Sequence, residues 1–128
     1  MQIRSVKIMK DKALAQSKAF WSALEKADVS GMQAVADPKC MFVHIGVTCG
    51  MEEEMRCFTD KIFIPTKVVL NSQQAQVFGD TAIVITDCNY SLLLGGKETT
   101  HHFAVTEVYV PEDGECKLVQ LSFTALVY

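Results

Sequence analysis

The division of the chain into a helical half and a strand-forming half most constrains its fold. Strand-forming runs occupy residues 66–78, 81–94, 99–110 and 117–128. The breaks between them are short and rich in Gly, Pro and Asp, which is typical of hairpin turns. The second half is therefore predicted to form a long antiparallel meander.

The first half carries its apolar residues at helical spacing. Leu14, Phe20, Trp21 and Leu24 form a stripe along a predicted helix over residues 7–27. Helices followed by a meander predict an α+β fold, with three N-terminal helices packed on one face of the sheet. The remaining elements are a helix over 29–36 capped by Asp28, a strand over 40–45, a turn over 46–50 and a helix over 51–63.

Composition limits the class of protein. The 128 residues are 49% hydrophobic, enough for one domain spanning 1–128 with its own core. A net charge of −3 does not favour nucleic acid, which needs clustered positive charge. The basic stretch of Arg4, Lys7, Lys10 and Lys12 is interpreted as a solvated helix face, with a site for an anionic partner as the alternative.

Cellular location is inferred from what the sequence lacks and from its cysteines. There is neither a signal-peptide pattern nor an apolar run of the ~18 residues that a membrane span requires. The five cysteines are an odd number without C-x-x-C spacing, which suits reduced thiols in the cytoplasm. Cys49 alone, beside a predicted turn and helix start, has a reactive thiol as its alternative role.

The late strands are apolar on both faces. In 103–110 and 118–127 hydrophobic residues occupy both alternating sets, whereas an antiparallel sheet with one wet face should alternate. Three helices cover only one face, so a homodimer formed through the other sheet face is predicted. In the first long strand, Ser72, Gln74 and Gln76 share a more solvated face.

A family resemblance is carried by six stretches, at residues 20–24, 28–32, 40–46, 78–84, 106–110 and 117–119. They resemble the nuclear transport factor 2-like superfamily, and in particular its small stand-alone members of unassigned function. The resemblance implies a strongly curved sheet that encloses a cone-shaped pocket. The same fold serves isomerases, polyketide cyclases, dehydratases and adaptor domains, so it does not imply one activity.

Ketosteroid isomerase, a member of that superfamily, offers a test residue by residue. It uses a carboxylate base with a tyrosine and a protonated aspartate as the oxyanion hole. The resemblance places His44 at the base position, Phe20 at the tyrosine position and Thr106 near the aspartate position. Because the two hydrogen-bond donors are missing, steroid isomerisation is not expected.

His44 is the strongest candidate for chemistry. Strand alternation puts it on one side with Cys40 and Phe42, which the resemblance turns towards the pocket. An imidazole can act as base or acid near neutral pH. The alternatives are a structural histidine bonded to a neighbouring strand or to Tyr90, and a residue that orients a ligand.

The resemblance also implies the pocket lining and hence two functional hypotheses. The first is a small-molecule pocket protein for an apolar organic ligand, with cofactor-free isomerase, cyclase or dehydratase-like chemistry and His44 as base. The second is a non-enzymatic dimerisation or adaptor domain with a filled core. The predicted lining, which assigns the His102 and Thr106 face of its strand to the cavity, is Phe20, Leu24, Phe42, Met55, Phe58, Tyr90, His102 and Thr106.

No metal site is predicted. His44, His102 and either Asp87 or Glu107 are conceivable donors, but they follow no spacing motif. No glycine-rich phosphate loop or nucleophile elbow is present, so no cofactor is expected.

Overall fold

The structure, a computed structural model, describes residues 3–44 and 47–127. The side chain of Arg4 in the basic stretch, and Ile45, Gly46 and Tyr128 of the predicted elements, lie outside the described part. The described residues form three helices and six strands, which confirms the α+β prediction. They are α1 Ile3–Glu25, α2 Val29–Val35, β1 Ala36–His44, β2 Val47–Cys49, α3 Met51–Thr59, β3 Ile64–Phe78, β4 Thr81–Leu94, β5 Lys97–Glu112 and β6 Glu115–Ala125.

Local signals explain where α1 ends and α2 begins. Ala27 adopts a left-handed φ of 52°, and the amides of Ala27 and Asp28 bond the carbonyl oxygens of Leu24 and Ala23. This is the Schellman arrangement that closes many helices. The predicted Asp28 cap is confirmed, because its carboxylate accepts a hydrogen bond from the Gly31 amide at 3.1 Å.

Several element boundaries differ from the prediction, and three of these differences lie between α2 and β3. Pro38 lies inside β1, which starts at Ala36. The described part of the predicted turn contains β2, whose Cys49 pairs with Phe42 in an antiparallel hairpin. Helix α3 ends at Thr59, four residues early, because Lys61 takes a left-handed φ of 56° and turns the chain towards β3.

The sheet has the order β2-β1-β6-β5-β4-β3. The predicted meander is confirmed in β3 to β6, and Gly95 and Gly96 both have positive φ values at the tight turn between β4 and β5. The sheet is antiparallel at every other pairing of its strands, but β1 pairs with β6 in parallel. The β1 strand enters the sheet beside the last strand of the meander and runs in the same direction.

Curvature comes from irregularities within the long strands. Strand pairing shifts register between Leu70 and Ser72 and again between Val108 and Tyr109. Such bulges increase the local twist of a sheet. The resulting curved, unclosed sheet wraps its inner face around α1, where Phe20, Trp21 and Leu24 are almost fully buried.

The assignment of faces in β5 is corrected by the strand register. Thr86 of β4 lies opposite Val105, which lies opposite Phe123 of β6. All three are buried, so the odd-numbered residues of β5 face the helices. Thr106 and the side chain of His102 therefore lie on the outer face. Hydrophobic residues occupy both faces of β5, so the sequence pattern did not show which face meets the helices.

The outer face of the sheet has no helix over it among the described residues. Ser72, Gln74 and Gln76 are exposed there, as predicted for β3. Towards β1 the outer face becomes apolar, with Ile85 38% and Met41 58% exposed. Within the described part, no helix combines the length and apolarity needed to cross a membrane.

Candidate functional site

An open cavity of about 460 Å³ lies between the helices and the inner face of the sheet. Its walls are mainly aromatic and aliphatic, and no lysine or arginine is among the described residues that line it. A cavity of this size falls within the range of ligand sites in proteins. Its principal apolar wall residues are Leu24, Phe58, Phe63, Tyr90, Phe103 and Phe123.

His44, at the end of β1, supplies the main polar group of this wall. Its ring stacks on Phe123, with centroids 5.1 Å apart, and lies 5.5 Å from the ring of Phe63. Its Nε2 atom is 2.5 Å from Oε1 of Glu54, and the imidazole side chain is 19% exposed. The sequence prediction that this side chain faces the interior is therefore correct in geometry.

Glu54 is a site residue that the sequence analysis did not identify. It lies in the first turn of α3 as the last of three consecutive glutamates, whose charges favour the positive end of the helix dipole. Its neighbours Glu52 and Glu53 are exposed, but Glu54 is 1% exposed. Helical phase decides this difference: residue 54 shares the inner side of α3 with Met55 and Phe58, which the apolar residues alone could have indicated.

Cys49 completes a compact group around one oxygen of Glu54. Its thiol donates a hydrogen bond to Glu54 Oε1 at 3.4 Å. Burial, and then the negative charge of Glu54, raise the pKa of the Cys49 thiol to about 12. The protonated thiol therefore does not fit the alternative of a reactive nucleophile. One donor atom each of His44, Cys49 and Glu54 lies within 4.8 Å of the other two.

The proton on the His44 ring can be assigned from this arrangement. Glu54 Oε1 accepts from Cys49 and contacts His44 Nε2, and an ionised carboxylate only accepts hydrogen bonds. With an ionised Glu54 the proton therefore lies on Nε2, and the neutral form of the ring has its lone pair on Nδ1.

Tyr90 lies on the cavity wall, as predicted. Its ring is 6.3 Å from that of Phe123, and the side chain is buried. Burial, followed by the charge of Glu54, raises the pKa of Tyr90 well above its ordinary value. The phenol thus stays protonated and can donate a hydrogen bond.

The structure separates the remaining predicted lining residues into three groups. Leu24 and Phe58 reach the cavity wall. Phe20 and Phe42 stack on one another at 6.4 Å in the buried core, which also contains Met55.

The third group lies on or reaches the outer face. Thr106 is on that face, and His102 reaches the cavity rim while its Nε2 bonds Oδ1 of Asp87 at 2.7 Å across the outer face. Of the adjacent residues His101 and His102, His101 is the one on the side of β5 that lies towards the cavity. Its ring stacks on that of Phe103.

Glu107 is fully buried in a separate polar network. Its carboxylate accepts hydrogen bonds from Trp21 Nε1 at 3.0 Å, Thr86 Oγ1 at 2.5 Å and the Tyr109 hydroxyl at 2.6 Å. Burial, and then the negative charge of Glu107, raise the pKa of Tyr109 well above its ordinary value. These donors occupy the carboxylate, and His102 pairs with Asp87 elsewhere, so the donors considered in the sequence analysis for zinc do not converge.

Solved structures share the fold at low sequence identity. A nuclear transport factor 2-like protein from Cytophaga hutchinsonii superposes with a TM-score of 0.82 at 20% identity, covering 98% of this chain and 100% of that one. A superfamily protein from Salmonella enterica gives 0.83 at 14% identity, with 95% and 94% covered. The S. rosetta CaMKII hub gives 0.75 at 21% identity, with 91% and 96% covered. Such identities show a common fold alone.

Family membership rests on the sequence match. The search among curated proteins found no significant relative. A family model described as a SnoaL-like domain matches residues 14–127, nearly the whole chain. The chain is therefore a member of the SnoaL-like family, and it shares its fold with nuclear transport factor 2-like proteins.

Proposed function

We propose that this protein binds a small, mostly apolar organic molecule in the cavity and transfers a proton on it with His44. The observation that carries the proposal is that His44, in the wall of a mainly apolar cavity, is held from behind by the buried Glu54. The chemistry is of the isomerase, cyclase or dehydratase type and requires no cofactor.

The walls determine the kind of ligand. Aromatic rings from α3, β4, β5 and β6 surround the space, so the body of the ligand is apolar and partly flat. His44 and the Tyr90 hydroxyl are its main polar partners, which suits a ligand with one carbonyl or hydroxyl group. The buried carboxylate of Glu54 next to His44 disfavours an anionic ligand.

Proton transfer follows from how Glu54 holds the imidazole. With Nε2–H donated to the carboxylate, Nδ1 of His44 accepts a proton from carbon next to a carbonyl group of the ligand. Glu54 then stabilises the imidazolium that forms, as a carboxylate does behind a general-base histidine. Tyr90, whose phenol keeps its proton, is the candidate donor to the enolate oxygen.

Ligand binding at His44 is tested by a fragment screen with matched variants. Carbonyl-containing aromatic fragments should raise the melting temperature of the wild type and of His101→Ala, but raise that of His44→Ala less. His101 is the matched control because it is a second histidine at the same cavity. Equal shifts in all three proteins for every hit would remove His44 from the site.

A second function, self-assembly, is favoured by the outer sheet face. Met41 and Ile85 leave an apolar area exposed there, and Val108 between them is half-buried. We propose that a second copy of the chain covers this face in a homodimer. The likeness to the S. rosetta CaMKII hub supports an assembly role for the fold.

The homodimer is tested by sedimentation. The wild type should sediment as a dimer at micromolar concentration and Ile85→Glu as a monomer. Ile62→Glu changes a more exposed apolar residue elsewhere, 56% against 38% for Ile85, and should remain dimeric. A wild-type monomer at that concentration would contradict the proposal.

We also place the protein in the cytoplasm. All five cysteines are free, and four of them are buried. Free thiols in this number suit a reducing compartment.

A further inference from the structure

We infer that His44, Cys49 and Glu54 together form a binding site for one zinc-type divalent metal ion at the cavity wall. The inference does not depend on proton transfer by His44, because the same donor cluster would be present in an adaptor. It does bear on proton transfer, since a metal on Nε2 would move the ring proton of His44 to Nδ1, the atom proposed to act as the base.

The three donors come from one short segment that folds back on itself. Strands β1 and β2 pair so that Cys49 lies opposite Phe42, which shares its side of β1 with His44. Both side chains therefore face inward from one hairpin. Helix α3 begins at Met51 directly after β2 and returns Glu54 to the same point.

The donor set matches the preferences of zinc. Imidazole nitrogen, thiolate sulfur and carboxylate oxygen are the three ligand types of protein zinc sites. A thiolate and a carboxylate together neutralise a divalent ion, which matters because Glu54 is 1% and Cys49 9% exposed. Among the described residues, neither lysine nor arginine lines the cavity beside them.

The spacing of the donor atoms is close to that required. Zinc bonds of about 2.0 Å to nitrogen and oxygen and about 2.3 Å to sulfur place tetrahedral ligands roughly 3.3–3.6 Å apart. Cys49 Sγ and Glu54 Oε1 are already 3.4 Å apart. His44 Nε2 and Glu54 Oε1 are 2.5 Å apart and must separate by roughly 0.8 Å to reach the tetrahedral spacing. The side chain of His44 is the most exposed of the three, at 19%.

Binding exchanges protons for the metal. The Cys49 thiol loses its proton to solvent as the metal–sulfur bond forms, and the ring proton moves from Nε2 to Nδ1 as the metal–nitrogen bond forms. His44 borders the cavity, so a cavity water can take the fourth position, as in zinc sites that keep one position open. The metal-loaded protein would have no lone pair on His44, and zinc would therefore inhibit the proposed proton transfer.

The test uses Co²⁺ and Zn²⁺ on the reduced, chelator-treated full chain. We expect one Zn²⁺ per chain by calorimetry, and with Co²⁺ a near-ultraviolet thiolate charge-transfer band together with the visible bands of tetrahedral cobalt. Cys49→Ser should abolish the charge-transfer band. His44→Gln and Glu54→Gln should weaken Zn²⁺ binding by at least the roughly 10–100-fold that loss of an outer-shell partner causes.

Each proposed ligand has a matched control residue in the chain. Cys57→Ser changes a second free cysteine, which lies on α3, and Glu53→Gln changes an exposed glutamate beside Glu54. His101→Gln changes a second histidine at the cavity. All three should bind Zn²⁺ as the wild type does. Near-ultraviolet circular dichroism of each metal-free variant checks that its core is intact.

Two results overturn the inference: several weakly bound ions with no stoichiometric site, or a charge-transfer band that survives Cys49→Ser. The fragment screen on metal-free protein tests the proposed function separately. Fragment binding at His44 without a metal site would contradict the metal inference alone. A metal site without fragment binding would contradict the proposed function alone.

Discussion

Trp21 and Glu107 join the first helix to the sheet through a hydrogen bond of 3.0 Å between the indole Nε1 and the buried carboxylate. The carboxylate is fully buried, and its partners are neutral donors from α1, β4 and β5. Charge burial of this kind is tolerated only when each oxygen is hydrogen-bonded. The network therefore positions α1 on the inner face that forms the cavity wall.

Removing one donor from this network should destabilise the protein. Thr86→Val replaces the hydroxyl by a methyl group of similar size and leaves a Glu107 oxygen with one partner fewer. We expect a loss of about 1–3 kcal/mol in the free energy of unfolding, measured in urea. Thr106→Val makes the same change on the outer face and should cost much less. Equal losses would contradict the importance of the network.

The stability of the protein should fall at alkaline pH. Burial raises the pKa of the Cys40 and Cys88 thiols from 9.0 to about 12. Above pH 9 the unfolded chain releases these protons while the folded chain keeps them, so unfolding becomes more favourable as pH rises. The contribution is complete below pH 9 and is lost progressively as pH approaches about 12.

Urea unfolding at a series of pH values measures this slope. Cys88→Ala should flatten it, because one of the shifted thiols is gone, even though the substitution changes the absolute stability. Tyr90 and Tyr109, whose pKa values are also raised, should retain part of the slope at the upper end. A slope unchanged by Cys88→Ala would show that this thiol is not protected in the folded state.

His44 and Glu54 should be energetically coupled. A double-mutant cycle with His44→Ala and Glu54→Gln should give an interaction energy of roughly 0.5–3 kcal/mol, because the pair is in direct contact and Glu54 is buried. Arg56 and Glu52, an exposed pair on the same helix, serve as the control and should show little coupling. Similar coupling in both pairs would argue that burial does not strengthen the His44–Glu54 contact.

Truncating aromatic residues should distinguish the filled core from the open cavity. Phe42→Ala removes a ring that is completely buried against Phe20 and should cost about 3–5 kcal/mol. Phe103→Ala removes a half-buried cavity-wall ring and should cost clearly less, because space beside it is already open. Urea denaturation measures both, and equal costs would mean that the cavity is packed in solution.

Sequence patterns predicted the elements well where local physics decides them. The Asp28 cap depends on a side chain three residues from its partner, and the Gly95-Gly96 turn depends on backbone freedom at two adjacent positions. Both were predicted correctly. The inward direction of His44 followed from alternation along β1 together with the family resemblance, and it too agrees with the structure.

The errors arose where contacts are distant along the chain. Thr106 was assigned to the cavity face, but the pairing of Thr86 with Val105 turns it outward. His102 is turned outward by the same register and reaches the cavity at its rim. Phe20, Phe42 and Met55 were expected at the cavity and instead fill the core. Glu54 was missed because the helical phase of Met55 and Phe58, which sets it apart from its two neighbouring glutamates, was not applied to the glutamates.

The amino-acid order by itself determined the α+β plan and the hairpins, because helix periodicity, strand alternation and turn chemistry act over a few residues. Only the tertiary structure decided which face of β5 meets the helices, that β1 runs parallel to β6, and that Glu54 and Cys49 meet His44. Strand register and helix orientation depend on the sum of many contacts between distant segments, and a one-residue slip in register exchanges the two faces of a strand.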